Sequence, residues 1–437
     1  CGTRVAPEPV QSAPAVHRPN DRREEGNVRA NHTFWKRTWA IGVASVIAVC
    51  MGVARAEEPA AADAPATPAP LGGVFPGLDA VDNTANMVKD WVGQYGITLG
   101  MGVSTSYQYG FTKPSNRKLS LRLLDKDHDR FGVDLAQLSL HKDIAKPNDW
   151  GFMVQFITGR YSRRYKSDWS GDGTLRDTGF ERKEVEIQQA YLSYDVPIGN
   201  GLQLKLGKFN TLVGSEVNEP WANTTYSRQL IYNAAQPATH TGGLATYAFS
   251  DMISLTVGGM TGWDVVMDNN GVPSFIGQIA LTPDPMATFY IGAIYGPEQV
   301  KNHRPDRQLY DVVSVIKPCD GFSITTNFDY GNEENATPGG NVSNFWGISN
   351  TFAYDITPRL STAFRAEWFD DQNGSRTGVK QGIWETTLNL KFKLTDYMYV
   401  RGEYRHDESS KNTAYVHKTA GTLSGQDTLA WELGYSF

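Results

Sequence analysis

The chain has 437 residues, a formal net charge of −6 and a mean hydropathy of −0.41, which together exclude a bundle of transmembrane helices. With 20 Tyr, 19 Phe, 11 Trp and 43 Gly it is rich in rings and in turn-forming residues. The length fits one large domain or two to three ordinary ones.

One stretch is apolar without interruption, "FWKRTWAIGVASVIAVCMGVARAEE". Lys36 and Arg37 precede an apolar run from Trp39 to Val53, and Ala54-Arg55-Ala56 has the small-x-small pattern of a cleavage site. This predicts a secretory signal cut after Ala56, with residues 1 to about 30 as upstream sequence. A lone membrane anchor is the weaker alternative, because the run is short for a spanning helix. Cys50 follows Val49, where a lipoprotein signal wants Gly or Ala, so lipidation is not expected. Residues 1–56 hold 8 of the 41 basic and 4 of the 47 acidic residues, leaving a mature net charge of −10. Such an exported acidic chain is a poor nucleic-acid binder. Its one remaining thiol, Cys319, can form neither an internal disulfide nor a structural zinc site.

Residues 57–75 read as a Pro/Ala linker. Residues 76–95 carry Val81, Ala85, Val88 and Val92 on one helical stripe, which predicts a short amphipathic helix at the periplasmic mouth or inside a lumen. From Ile97 the period becomes two. "WETTLNLKFKL" sets Trp384, Leu388, Leu390, Phe392 and Leu394 against Glu385, Thr387, Asn389, Lys391 and Lys393. "LAWELGYSF" sets Leu429, Trp431, Leu433, Tyr435 and Phe437 against Ala430, Glu432, Gly434 and Ser436.

Sixteen candidate strands run from 97–111 to 428–437, and their links alternate between two kinds. Seven are tight, "KPND", "PIGNG", "FSDM", "TPDP", "KPCDG", "DITPR" and "KLTDY"; eight are longer and polar. Short turns at one rim, long loops at the other and an even strand count predict a transmembrane antiparallel β-barrel over 96–437, an all-β fold with a short N-terminal helix. The apolar medium is then lipid, and the last strand closes the barrel so that no backbone edge faces hydrocarbon. Phe437 resembles the C-terminal signal read by the outer-membrane assembly machinery.

The stretch "LQLKLGKFNTLVGSEVNEPWANTTYSRQLIYNAAQPATHTGGLATY" at 202–247 and "GPE" at Gly296–Glu298 resemble the putative β-barrel porin-2 family, the OmpL-like porins. The resemblance extends from about residue 95 to the end and implies a porin in the outer membrane of a Gram-negative-type cell. Around "GKF" the chain is also distantly similar to phosphate-selective porins, but it has no Arg/Lys ladder dense enough to carry that selectivity over.

Chemistry beyond a channel finds little support. Asp125, Asp127 and Asp129 in "LDKDHDRFG" alternate as in a calcium loop, but Arg130 takes the turn-Gly place and Ala136 the bidentate-Glu place. A solvated loop is the leading reading, with a weak divalent site as the alternative; the acidic "SDWSGDGTLRD" is read the same way. The mature histidines are His128, His141, His240, His303, His406 and His417, without G-x-S-x-G or H-E-x-x-H, so no catalytic set is expected. No C-x-x-C-H is present, so no c-type haem or other cofactor is expected.

Sixteen strands leave an aqueous lumen, so the expected function is passive diffusion of small hydrophilic solutes and ions. The rival is a closed structural or adhesive barrel, or a sheath around an electron-transfer partner. The expected partners are outer-membrane lipid, the assembly machinery, the solutes and further copies of the chain. The long link at about 211–239 is expected to fold inward as a constriction carrying Glu216, Glu219, Trp221, Tyr226, Arg228 and Tyr232. Strand parity points Arg365, Lys391, Lys393, Arg401 and Arg405 into the lumen, tempered by Glu367, Glu385 and Glu403. An acidic loop facing a basic wall would set up a transverse field, with a mild cation preference from Glu216 and Glu219.

Overall fold

A computed structural model describes residues 78–162, 185–337, 339–419 and 421–437. The expected signal, the Pro/Ala linker and the "SDWSGDGTLRD" loop lie outside these residues. Helix α1 (Leu78–Gly93) leads into β1 (Thr98–Gly110), β2 (Arg130–Lys142), β3 (Trp150–Thr158), β4 (Val185–Val196) and β5 (Leu202–Asn210). The chain continues through a short helix α2 (Leu230–Ala234) to β6 (Thr239–Ser250), β7 (Ile253–Met260), β8 (Ser274–Asp284), β9 (Ala287–Pro297) and β10 (Asp306–Cys319). Then follow β11 (Phe322–Glu333), β12 (Ser343–Asp355), β13 (Leu360–Asp371), β14 (Gln381–Lys393), β15 (Met398–Ser409), a hairpin β16 (Tyr415–His417) and β17 (Gly421–Leu423), and β18 (Gly425–Ser436).

Sixteen of these strands form a closed antiparallel barrel in which each pairs with its chain neighbours, the hairpin standing apart in the last long link. The seam joins β1 to β18 in register, Val103 opposite Tyr435 and Tyr109 opposite Leu429. Phe437 extends it, exchanging backbone hydrogen bonds with Met101 at 2.9 and 3.0 Å. Closure leaves every barrel strand with two partners, the condition a hydrocarbon surround imposes. The period-two alternation sorts residues between two media: Leu388 and Leu390 on β14 are exposed outward, while Asn389 between them and Glu385 and Thr387 before them are buried inward. Outward rings cluster toward the ends: Trp150, Tyr194 and Phe249 lie near the short turns, and Phe131, Tyr295 and Tyr310 near the long loops. Rings with one wet edge suit membrane interfaces.

Helix α1 lies at the short-turn rim. Tyr397, in the turn between β14 and β15, donates to Asn86 Oδ1 at 2.6 Å, and Lys89 Nζ donates back to the Tyr397 hydroxyl at 3.2 Å. These bonds turn Asp82, Ala85, Lys89 and Val92 inward, so Val81 and Val88 of the expected stripe are left exposed.

The lumen is not uniformly wet. Leu244, Met260, Ile276, Ile294, Leu309, Phe345, Phe369 and Ile383 point inward from β6–β14 and form a buried apolar cluster with Val213, Leu230, Ile231 and Ala235 of the long link. Toward the short-turn rim, lumen-facing Gln278, Tyr191 and Lys205 are only half-buried.

Candidate functional site

The link between β5 and β6, residues 211–238, folds inside the barrel. Its backbone is held by charges on the wall. From β13, the Arg365 guanidinium donates to Glu385 at 2.6 Å, to Glu216 at 2.8 Å, to the Ser227 carbonyl at 2.8 Å and to Thr225 Oγ1 at 2.6 Å. Two residues along, Glu367 accepts from the backbone N–H groups of Leu230 and Ile231 at 2.6 and 2.7 Å. On β15, Arg401 donates to the carbonyls of Asn223 and Pro220, each at 2.9 Å, and to Glu432 of β18 at 2.6 Å. Glu403 accepts from the N–H groups of Tyr226 and Ser227 at 2.6 and 3.0 Å. Arg405 donates to the Arg228 carbonyl and to Asp407, each at 2.6 Å.

A loop without regular structure has unpaired N–H and C=O groups that cannot be left dry. Here the wall supplies the partners. Arginine provides donors for the carbonyls and glutamate provides acceptors for the amides, and charged hydrogen bonds of this kind are the strong ones. Arg365, Arg401 and Arg405 are at most 2% exposed. The transverse field expected from an open basic wall is therefore largely spent as short-range ion pairs and loop anchors.

The loop also braces itself. Arg228, fully buried, donates to the carbonyls of Val217, Tyr226 and Asn218 at 2.9–3.0 Å and lies over the rings of Tyr161 and Tyr232. Tyr232 donates to Asn218 Oδ1 at 2.5 Å, and the hydroxyls of Tyr226 and Ser106 are 2.7 Å apart. The Trp221 ring packs over Gly102 of β1, where an added Cβ would come within 2.2 Å of it. The other inward charges lie elsewhere: Lys391 sits over the Tyr399 ring at 4.1 Å, and Lys393 is exposed at the short-turn end of β14.

The three aspartates of the first long link do not converge. Asp125 pairs with Arg122 at 2.6 Å, Asp127 with Lys118 at 2.5 Å and Asp129 accepts from Tyr107 at 2.8 Å. This link folds inward as well: Arg122 bridges to Asp407 of β15 at 2.6 Å, and the Leu123 N–H donates to Asn233. Parity could have found Glu432, which alternates with Trp431 and Leu433. Arg122 gave no such signal, because nothing in a loop sequence fixes its direction.

On the far wall, β2–β5 present neutral amides. Gln155 Nε2 donates to Gln137 Oε1 at 2.7 Å and to Glu219 Oε1 of the loop at 2.6 Å, and Gln189 Nε2 donates to Gln155 Oε1 at 2.6 Å. Val217, Ala222 and Thr224 of the loop are exposed and Glu216 and Glu219 half-buried, so this side of the loop reaches solvent.

The family model described as "Putative beta-barrel porin-2, OmpL-like" matches residues 96–437, and the chain belongs to that family. No curated protein sequence matches it. Among solved structures, the outer membrane channel DcaP of Acinetobacter baumannii is similar at 13% identity and a TM-score of 0.52, over 78% of this chain and 97% of that one. An anion-selective porin from Comamonas acidovorans gives 10% identity and 0.53, over 78% and 99%. A trimer form of OmpT of Vibrio cholerae gives 13% and 0.52, over 78% and 99%. At such identities the likeness is one of fold.

Proposed function

We propose, from the premise that this chain is an outer-membrane porin and a diffusion channel, that residues 211–238 form its constriction and that Glu219 gives it a mild cation preference. The observation that carries the reading is the loop itself, folded inside the barrel and anchored to β13 and β15 through five charged side chains. Such anchoring fixes an aperture's width. Glu216 is balanced by Arg365, whereas Glu219 has no cation partner among the described residues. A carboxylate at a narrow wet passage raises the local concentration of cations, an effect that salt weakens.

Planar-bilayer recording of the purified protein tests the reading. Discrete conductance steps with a reversal potential displaced toward the cation potential are expected. Absence of any reproducible step favours the closed structural or scaffolding barrel instead. Self-association of this chain belongs to the same proposal, supported by the trimer form of one fold neighbour, and chemical cross-linking in detergent tests it.

A further inference from the structure

The constriction reading leaves open which solutes the passage suits, and the wall opposite the loop bears on that. We infer that Gln137, Gln155 and Gln189, with Glu219 of the loop, form a recognition track for uncharged, hydroxyl-rich solutes; the inference rests on the loop being the constriction.

The first argument is what a solute does not meet. Arg365, Arg401 and Arg405 are buried beneath the loop and consumed by its carbonyls and by acidic partners. On the far wall the cations are also engaged: Lys205 lies over the Tyr191 ring at 4.4 Å, and Lys208 pairs with Glu186 at 2.8 Å. An anion entering here would shed hydration against amides that have no net charge to offset the loss, and a cation would find Glu219 alone.

The second argument is the arrangement of the amides. They form one hydrogen-bonded run across three neighbouring strands, Gln137 on β2, Gln155 on β3 and Gln189 on β4, and the backbone of Asn210 on β5 holds its end. The Asn210 N–H donates to Gln189 Oε1 at 3.1 Å, Gln189 to Gln155, and Gln155 to both Gln137 and Glu219. The run fixes which way each amide points. It leaves Gln137 Nε2 as a donor and Glu219 Oε2 as an acceptor, each without a partner among the described residues. Gln137, Gln189 and Glu219 are half-buried, so solvent reaches them.

A group that satisfies both ends must donate and accept. A hydroxyl does so, and a vicinal diol does so at two points; a simple cation uses only Glu219, and an anion is repelled by it. Polyols and sugars can therefore exchange their water shell for the track at little cost, as water-mediated and direct hydrogen bonds are nearly equivalent.

The test is osmotic swelling of liposomes carrying the full-length protein, using a neutral pentose, an anionic sugar acid and a cationic amino sugar of similar size, with potassium chloride conductance recorded alongside. The neutral pentose is expected to enter faster than the anionic sugar acid, which Glu219 repels. Gln137→Leu and Gln189→Leu should each lower the ratio of pentose flux to potassium conductance by about twofold to tenfold, the effect of one hydrogen bond. Two variants on different strands guard against misfolding of either. A pentose no faster than the anionic sugar acid, or an unchanged ratio in both variants, overturns the track while leaving the channel standing. No conductance in the unaltered protein overturns the constriction reading and the track with it.

Discussion

Glu216 and Glu219 stand one turn of loop apart and meet opposite fates: Glu216 Oε1 accepts from the Arg365 guanidinium at 2.8 Å, while Glu219 Oε1 accepts from the neutral Gln155 amide at 2.6 Å. One carboxylate is paired with a cation of the wall, and the other has no cation partner among the described residues. Glu219→Gln is therefore expected to move the reversal potential in a salt gradient toward zero, and Glu216→Gln to move it less. The residual preference should fade as ionic strength rises and the screening length falls below about 10 Å. If the Glu216→Gln, Glu219→Gln double variant keeps both the selectivity and the conductance of the parent, the loop lies outside the conduction path.

Arg365 is the anchor with the most partners, and its loss should release the loop. Arg365→Met would leave half-buried Glu216 without its cation and buried Glu385 with only Arg405, 3.4 Å away, a loss on the order of 3 kcal/mol. The expected outcome is a lower temperature for conversion from the folded to the unfolded band in heat-modifiability gels. Noisier, larger single-channel currents should accompany it. Lys391→Met, on the same face but away from the loop, should leave the currents quiet. Equal noise in both variants would mean that the anchor is not specific.

The barrel was legible because its period is strict. With lipid outside and polar groups inside, each strand must alternate, and turn chemistry marks every short link. The inward direction of Arg365, Glu367, Glu385, Arg401, Glu403 and Arg405 followed from the same parity. What these charges bind did not. Alternation says that Arg401 faces the lumen, but only the fold brings the carbonyls of Pro220 and Asn223 to it. The inward turn of Arg122 and the apolar lumen cluster around Ile231 were missed for a related reason. An inward Leu309 or Phe369 breaks the expected polar-inside pattern, and it makes sense only with a loop packed upon it.

The close approach of Trp221 to Gly102 gives a packing test. A methyl group at residue 102 would fall within 2.2 Å of the ring, and the neighbouring strands leave the backbone little room to shift. Gly102→Ala should cost about 1–3 kcal/mol of stability, as overpacked sites do. Most of that loss should vanish when the substitution is made in a Trp221→Ala background. Additive losses in the double-mutant cycle would show that the ring does not rest there.

Glu298, just beyond β9, supplies a pH test. Its carboxylate accepts from the Trp263 N–H at 2.8 Å and from Ser274 Oγ at 2.7 Å, pinning the link after β7 to the mouth of the barrel. Burial pushes its pKa up from the ordinary 4.5 to about 7, against the opposing pull of Arg307. A folded-state value above the unfolded one means that the folded form binds the proton more tightly. The stabilisation is then fully present below 4.5 and is lost as pH rises through about 7. Hydrogen exchange at the Trp263 amide should accordingly be less protected, after correction for intrinsic rates, at about pH 8 than at about pH 5. Glu298→Gln, uncharged at both pH values, should remove that difference. A pH dependence that survives in Glu298→Gln would assign the titration to another group.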